Sequence, residues 1–213
     1  MSLKGSIERR LSAVSDFAEP DPDLEQYRTP ASVAAHLVAL ADIQDDLAGA
    51  MVLDLGTGTG MLALGAALRN PRRVLGIELD GIALEDARRN ESAVEPGTPV
   101  DWIRADVRSL PLRPPRCTVL ANPPFGAHAD NIHADREFLE TIAAVADVSY
   151  TIHNEGSREF VEAFSMDHGG TITHAYAVEF ALPRQFMHHE ADSRTIQAEL
   201  YRIEWTGEPE GSA

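Results

Sequence analysis

The heptapeptide Leu-Ala-Asn-Pro-Pro-Phe-Gly at residues 120–126 places a side-chain amide, two prolines and an aromatic ring directly after a short apolar run. The Asn122 side-chain oxygen and the Pro123 backbone carbonyl could accept hydrogen bonds from both N–H groups of a planar amine, such as N6 of adenine. Two fixed acceptors would draw that nitrogen toward tetrahedral geometry and direct its lone pair at an electrophile. Pro123 and Pro124 stiffen the backbone, and Phe125 offers a ring on which an unstacked base could lie. The motif therefore predicts a site that could orient an amino or amide nitrogen for reaction.

A glycine-rich turn, Asp-Leu-Gly-Thr-Gly-Thr-Gly at residues 54–60, is the second candidate site. Glycines let the backbone approach a ligand closely, and the helix that follows supplies N–H groups without intrahelical partners. The turn departs from the dinucleotide fingerprint G-x-G-x-x-G because Met61 occupies the third fingerprint position. An acid ahead of the glycines suits a ligand with an ammonium group, although a glycine-rich turn is also compatible with loop geometry alone. The predicted binding residues of this turn are Asp54, Gly56, Gly58 and Gly60.

Acidic residues follow the next two predicted strands. Glu78 ends the second strand, about 20 residues after the glycines, where a carboxylate can accept both hydroxyls of a ribose. Asp80, two residues later, is predicted to cap the next helix. Asp106, after the third strand, is placed to meet the amino group of an adenine, with Val107 beside the ring. An ordinary turn residue is the alternative interpretation of Asp106.

The elements that must position these residues follow from the alternation of apolar runs and helical patterns. Two long alternating stretches at 171–182 and 194–205 predict a C-terminal antiparallel hairpin. Alternation of strands and helices is typical of a parallel sheet with helices on both faces, where ligands bind at the carboxyl ends of the strands. The predicted fold is α/β and Rossmann-like, with a mostly parallel sheet. The remaining predicted strands are 50–55, 73–79, 99–106, 117–122 and 147–153.

The N-terminal region is predicted to begin with an amphipathic helix at residues 3–18, because apolar residues recur there at helical spacing. Thr29 and Pro30 resemble a helix start, with Thr29 as the N-cap and proline in the first turn. We expect one domain over residues 1–206 and a disordered acidic tail at 207–213.

The net charge of the chain is strongly negative, because Asp and Glu number 34 against 18 Lys and Arg. Lys4 is the only lysine. An acidic surface ordinarily repels nucleic acid. It also suits a cytosol rich in salt, where self-repulsion is screened, and we predict a halophilic source. The sequence has neither an apolar stretch long enough for a membrane span nor the apolar core of a signal peptide, so we expect a cytoplasmic location.

The order and spacing of these motifs resemble those of class I S-adenosylmethionine (SAM)-dependent methyltransferases, which have a seven-stranded sheet. A narrower resemblance, to the methyltransferase-like protein 5 family of small-subunit rRNA adenine-N6 methyltransferases, covers roughly residues 3–204. The segments that carry it are LEQYRTP (24–30), DLGTGTGMLALGA (54–66), NPPFG (122–126), ADREFL (134–139), YTIHNEGSREFV (150–161) and FALPRQFMHH (180–189).

This resemblance implies SAM as the cofactor and an RNA substrate. It also implies that residues 1–30 form a helix and a segment that closes over the cofactor through Gln26 and Thr29. Asn122, Pro123, Pro124 and Phe125 would form the catalytic loop. The residues implied around the cofactor are Gly56, Thr59, Met61, Glu78, Asp106 and Val107.

Eukaryotic members of the family work with a small zinc-binding activator protein docked on the sheet edge. The third predicted strand, 99–106, would be such an edge, and exposed edges invite pairing.

Two segments depart from the family pattern. The loop after residue 126 is usually basic, yet here Arg136 is its only arginine. His188 and His189 stand where relatives carry lysines, and no metal-ligand spacing accompanies them, so no metal is predicted. For His153, a structural hydrogen bond and a role on RNA remain equally open.

The Asn-Pro-Pro-Phe motif alone leaves the nitrogen substrate open. Enzymes that methylate RNA guanine N2, DNA adenine N6 or a protein glutamine share it, and a catalytically silent SAM-binding scaffold is the alternative from another class. DNA enzymes usually carry a separate target-recognition region, for which we expect no room in this chain. Glutamine enzymes usually carry an N-terminal helical substrate domain, for which residues 1–25 are expected to be too short.

Overall fold

The computed structural model describes residues 2–110, 117–124, 134–182 and 194–206. These residues include two 3₁₀ turns, at Pro22–Leu24 and Val107–Ser109. The helices are α1 (Leu3–Leu11), α2 (Ala31–Ile43), α3 (Met61–Ala67), α4 (Gly81–Val94), α5 (Ala134–Val145) and α6 (Arg158–Asp167). The strands are β1 (Met51–Leu55), β2 (Arg73–Glu78), β3 (Val100–Arg104), β4 (Cys117–Ala121), β5 (Val148–Asn154), β6 (Gly170–Leu182) and β7 (Arg194–Trp205).

The strands form a seven-stranded sheet in the order β3-β2-β1-β4-β5-β7-β6. Strands β1 to β5 pair in parallel, whereas β7 runs antiparallel to both β5 and β6. The predicted Rossmann-like α/β fold and its C-terminal hairpin are thus confirmed. The strand order reverses between β1 and β4, and such a switch point opens a crevice at the carboxyl ends of the strands.

Both faces of the sheet are buried because successive strand residues point to opposite sides. On one face, Val52 and Val74 pack with buried residues of α1, α2 and α3. On the other face, Leu53 and Leu75 pack with buried residues of α5 and α6. The two apolar layers hold the strand ends in fixed relative positions. In the part of the chain that the structure describes, no helix is long and apolar enough to cross a bilayer.

The predicted elements match the observed ones closely, except that α1 ends at Leu11 rather than at residue 18. Beyond α1, two backbone N–H groups of this segment donate to side chains of α4. The backbone N–H of Ser15 donates to Asn90 Oδ1 at 2.9 Å, and that of Ala18 donates to Asp86 Oδ2 at 3.0 Å. These long-range partners replace the helical hydrogen bonds that the local pattern predicted.

The prediction that Thr29 caps α2 is wrong. Pro30 occupies the N-cap position, and no side chain caps the helix. The Pro30 carbonyl accepts the N–H groups of Val33 and Ala34, both at 3.0 Å, so the backbone itself satisfies the first turn. The predicted cap of α4 is confirmed, since Asp80 Oδ1 accepts the N–H of Ile82 at 2.9 Å.

Candidate active site

A cavity of about 360 Å³ lies where β1, β2 and β4 end, within the roughly 300–1,000 Å³ typical of small-molecule sites. Gly60 and Pro123 do not line this cavity, and Phe125 lies outside the described residues. The predicted site residues that do line it are Gln26, Thr29, Asp54, Gly56, Gly58, Thr59, Met61, Glu78, Asp106, Val107, Asn122 and Pro124.

The glycine-rich turn between β1 and α3 needs its glycines for space as well as for conformation. Gly56 and Gly58 have φ angles of 67° and 51°, in the left-handed region that favours glycine. A Cβ atom on Gly58 would lie 2.9 Å from Cζ of Phe17, and one on Gly56 would lie 3.1 Å from Cε1 of Phe138. Two aromatic rings therefore pack on the turn, and both line the cavity.

Asp54, on β1, is buried beneath the turn. Its Oδ2 accepts hydrogen bonds from Thr57 Oγ1 at 2.6 Å and from the N–H of Ala63 at 2.8 Å. Among the described residues, no hydrogen bond engages Oδ1. Burial raises the pKa of Asp54 to about 7, and the hydrogen bonds from Thr57 and Ala63 only partly oppose that shift. A cationic ligand near Asp54 would favour the ionised carboxylate.

Glu78, the last residue of β2, connects two walls of the cavity. Its Oε2 accepts the N–H of Gly58 at 2.9 Å, and its Oε1 accepts those of Leu79 and Asp80 at 2.8 and 3.0 Å. Burial raises the pKa of Glu78, and these backbone hydrogen bonds oppose the shift. The carboxylate is therefore held rigidly by the backbone on both sides.

Asp106 follows β3 and is engaged by an arginine that the sequence motifs did not indicate. Arg108 Nε lies 3.0 Å from both carboxylate oxygens of Asp106, and Arg108 Nη2 lies 2.7 Å from Oδ2. This charge-assisted pairing lowers the pKa of Asp106. Arg108 Nη1 also lies 4.0 Å from Glu137 on α5, so the guanidinium connects two acids at the cavity wall.

Asn122 directly follows β4, and its carboxamide contacts two hydroxyl groups from the segment before α2. Asn122 Nδ2 donates to Thr29 Oγ1 at 2.9 Å. The Tyr27 hydroxyl donates to Asn122 Oδ1 at 3.4 Å. Burial raises the pKa of Tyr27 well above its usual value, which keeps the phenol protonated. Tyr27 belongs to the LEQYRTP segment, but only the folded chain shows what it touches.

Pro123 is buried and faces a second, much smaller cavity of about 10 Å³. His153, on β5, lines the same small cavity and is 2% exposed. Its ring packs edge-on against Tyr201, with the ring centroids 6.0 Å apart. Burial lowers the pKa of His153 to about 4, so the ring is neutral near pH 7. Among the described residues, its buried Nε2 has no hydrogen-bond partner, so the structural hydrogen bond is not found at that atom, and a role on RNA stays a prediction. His188 and His189 lie outside the described residues.

The segment before α2 is fixed at the rim of the large cavity. Gln26 accepts the N–H of Asp21 at 2.8 Å through Oε1 and donates to Asp80 Oδ2 at 2.9 Å through Nε2. Arg28 Nη1 donates to the Val14 carbonyl at 2.9 Å. Gln26 thus lines the cavity while both ends of its amide bond to the protein itself. Gln26 therefore anchors this segment over the cavity.

The charge of the cavity distinguishes between two classes of cofactor. Phosphorylated dinucleotides carry anions that a helix N-terminus attracts and that carboxylates repel. Here Glu78 already occupies the Gly58 N–H, which a phosphate would need. SAM carries a sulfonium and an ammonium group, which suit a cavity rich in carboxylates. The charged residues that line the cavity are Glu25, Asp54, Glu78, Asp106 and Glu137, opposed by Arg108. The residues present therefore fit SAM.

Comparison with known proteins agrees with this assignment. Residues 52–148 match the model of a family described as "Methyltransferase domain". The rRNA N(6)-adenosine-methyltransferase Mettl5 of Drosophila melanogaster is 32% identical over 93% of this chain and 94% of its own length. An uncharacterised protein of Methanocaldococcus jannaschii is 34% identical over 97% of this chain and 96% of its own length.

A solved structure is also similar over nearly the whole chain. The crystal structure of a Pyrococcus horikoshii protein proposed to be an RNA methyltransferase superimposes with a TM-score of 0.87. Its sequence is 35% identical, and the match covers 96% of this chain and 98% of the other.

Proposed function

This chain belongs to the methyltransferase-like protein 5 family of class I SAM-dependent methyltransferases, and on that premise we propose that it methylates N6 of an adenine in small-subunit rRNA. The observation that carries the proposal is the position of Asn122. Its carboxamide lies at the end of β4, on the wall of the cavity that fits SAM. The proposal also places the enzyme in the cytoplasm, together with its ribosomal substrate.

The residues of the chain divide the work between holding the cofactor and orienting the base. Asp54 and Glu78 would hold the ammonium group and the ribose, and Asp106 and Val107 would hold the adenine ring. Bound SAM supplies an electrophilic methyl group. Gln26 and Thr29 would cover the cofactor, and the turn residues that would contact it are Gly56, Gly58, Thr59, Gly60 and Met61.

Asn122 Oδ1 and the Pro123 carbonyl would accept the two N–H groups of the target amine. The bonds would localise the nitrogen lone pair and aim it at the methyl group, and proline rigidity would keep both acceptors in place before the reaction. The amine becomes cationic as it is methylated, so the same two oxygens stabilise the developing charge. Its proton can then pass to water without a strong base. Pro124 would shape the loop, and Phe125 would stack on the extruded base.

The experiment is methyl transfer from labelled SAM in molar KCl, with small-subunit rRNA, duplex DNA and a glutamine-containing protein as parallel substrates. Nucleoside mass spectrometry identifies the product. N6-methyladenosine in the rRNA supports the proposal. Three other results would contradict the proposal and favour a competing function: N2-methylguanosine in the rRNA, label in DNA or protein, or SAM binding without any transfer.

We also propose that a small zinc-binding activator protein docks on the β3 edge of the sheet. In the described part of the chain, β3 pairs with β2 alone. Two apolar side chains near its carboxyl end, Leu79 and Ile82, are 44% and 45% exposed. Arg104 Nε donates to the Leu79 carbonyl at 3.1 Å, which places this apolar pair beside the edge strand. An unpaired edge with adjoining apolar surface supports a protein contact there.

Gel filtration with the activator tests this second proposal. The wild-type chain should elute as a complex, and Ile82→Asp should abolish it. Ile43→Asp is the matched control, because Ile43 is 71% exposed at the end of α2 and should tolerate the change. Elution of the wild-type chain as a monomer in the presence of the activator would contradict the proposal.

A further inference from the structure

The Asn122 carboxamide is held by two hydroxyl groups that lie more than 90 residues away in sequence. We propose that Tyr27 and Thr29 are positioning residues that keep the Asn122 amide in one orientation, with its oxygen available to the amino group of the substrate. This inference rests on the proposed function, because it concerns the same methyl transfer.

Orientation matters because the two ends of a carboxamide are opposite in hydrogen bonding. Oδ1 accepts, whereas Nδ2 can only donate. The torsion that exchanges them is broad and roughly two-fold, so packing alone defines it weakly. An amide rotated by half a turn would present N–H groups to the N–H groups of the substrate. The site would then lose an acceptor and gain a repulsive contact.

The two hydroxyl groups select the productive orientation together. Thr29 Oγ1 accepts from Nδ2 at 2.9 Å, which commits one amide hydrogen to the protein. The Tyr27 phenol donates to Oδ1 at 3.4 Å and, being protonated, is a better donor than acceptor. Oδ1 has two lone pairs, so one remains for the substrate. In the rotated amide, the phenol oxygen would have to accept, which is the weaker arrangement.

The segment that carries both hydroxyl groups is itself anchored. Thr29 and Gln26 are each 7% exposed. Gln26 bonds to Asp21 and to Asp80, the cap of α4, and Arg28 bonds to the Val14 carbonyl. Because these contacts fix the segment that carries both hydroxyl groups, Tyr27 and Thr29 can hold the amide with little entropic cost. The cofactor-covering segment thereby also orients the catalytic side chain.

Side-chain amide NMR of the ¹⁵N-labelled full-length protein tests this orientation without RNA. The Asn122 NH₂ signals are identified by their absence in Asn122→Asp. Thr29→Val, which removes only the hydroxyl, should shift these signals and speed their hydrogen exchange, and Tyr27→Phe should shift them less. Thr29→Ser should leave them near the wild-type position. Unchanged Asn122 signals in both Thr29→Val and Tyr27→Phe would overturn the inference.

Kinetics provide the second readout. Thr29→Val should lower kcat about tenfold, the scale of one hydrogen bond, while the SAM dissociation constant changes less than about threefold. Thr29→Ser should restore kcat to within about threefold of the wild type. Thr118→Val is the matched control, because its hydroxyl bonds to the Asp46 carbonyl, and this variant should leave kcat and the Asn122 signals unchanged.

A loss of rate in Thr29→Val that is fully explained by weaker SAM binding would overturn the inference. An absence of N6-methyladenosine with the wild-type protein would overturn the proposed function instead. In that case the NMR result alone decides whether Tyr27 and Thr29 hold the amide.

Discussion

Glu78 and Gly58 are joined by a 2.9 Å hydrogen bond from the glycine N–H to Oε2, which ties the end of β2 to the turn after β1. The same carboxylate accepts two more backbone N–H groups through Oε1. All three donors therefore need an acceptor at this position. A second acid, Asp54, lies on β1 beside them. Burial is the main cause of the raised pKa of each carboxyl group, and the Glu78 charge adds to the shift of the Asp54 pKa.

Glu78→Gln should weaken SAM binding by about ten- to a hundredfold, the scale of a lost hydrogen bond to a charged group. In the variant, an NH₂ group would replace one carboxylate oxygen and would face backbone N–H donors. The glutamine side chain could also no longer accept hydrogen bonds from both ribose hydroxyls. Isothermal titration calorimetry measures the effect. Glu85→Gln is the control, because Glu85 is exposed on α4. Equal SAM affinities in the two variants would contradict the assignment of Glu78.

SAM affinity should rise as the pH increases from about 6 to 8. A cation binds the ionised carboxylate, and the pKa of Asp54 in the free protein is about 7. Asp54→Asn should weaken binding and flatten this pH dependence. Titration of the wild type and the variant across this range measures both effects. A variant that keeps the wild-type pH profile would show that another group is responsible.

Asp54 should also make the stability of the ligand-free protein depend on pH. Its folded-state pKa of about 7 lies above the usual 3.8, so the folded protein keeps a proton that the unfolded chain has already released. The Asp54 contribution to the free energy of unfolding is therefore complete below about pH 4 and lost as the pH rises to about 7. Urea titrations should show a smaller decrease over this range in Asp54→Asn.

Gly58→Ala should destabilise the protein and weaken SAM binding. The φ angle of 51° costs a non-glycine residue about 1–2 kcal/mol, and the new Cβ would lie 2.9 Å from the Phe17 ring. Gly49→Ala is the control, because Gly49 has a φ angle of 70° and a Cβ added there would meet no atom within 4 Å. It shares the backbone strain without the clash. Urea unfolding should rank Gly58→Ala as the less stable variant, and Phe17→Leu should recover part of the difference.

The protein should melt at a higher temperature in about 2 M KCl than in about 0.1 M KCl. A formal net charge of −16 destabilises the folded state through self-repulsion, which salt screens. Circular dichroism at the two salt concentrations measures the shift. Loss of structure at the higher concentration would contradict the prediction of a halophilic source.

Much of the fold could be predicted from the sequence because the evidence is local. Apolar runs broken by helical patterns define the strands, and parallel strands bring their carboxyl ends to one edge, so Asp54, Glu78 and Asn122 converge as expected. The early end of α1 and the role of Thr29 could not be predicted in this way. Both depend on partners distant in sequence, Asn90 and Asn122, which only the folded chain brings into contact.

The site residues that the sequence did not indicate also act through contacts that only the folded chain shows. Phe17 packs on Gly58, and Arg108 pairs with Asp106. A lone aromatic residue or arginine in a loop carries no local pattern that indicates such a contact. Tyr27 was part of a recognised motif, but its hydrogen bond to Asn122 depends on the packing of the segment before α2 against β4.

The most direct test of the proposed mechanism compares Asn122→Ala with the wild type in two measurements on the same samples. SAM binding by calorimetry should be nearly unchanged, since the cofactor contacts assigned to β1 and β2 remain. Formation of N6-methyladenosine in small-subunit rRNA should fall by roughly 10²-fold or more, the scale of one positioned transition-state contact. Turnover that is unchanged by this substitution would contradict the assignment of Asn122 as the acceptor that activates the target nitrogen.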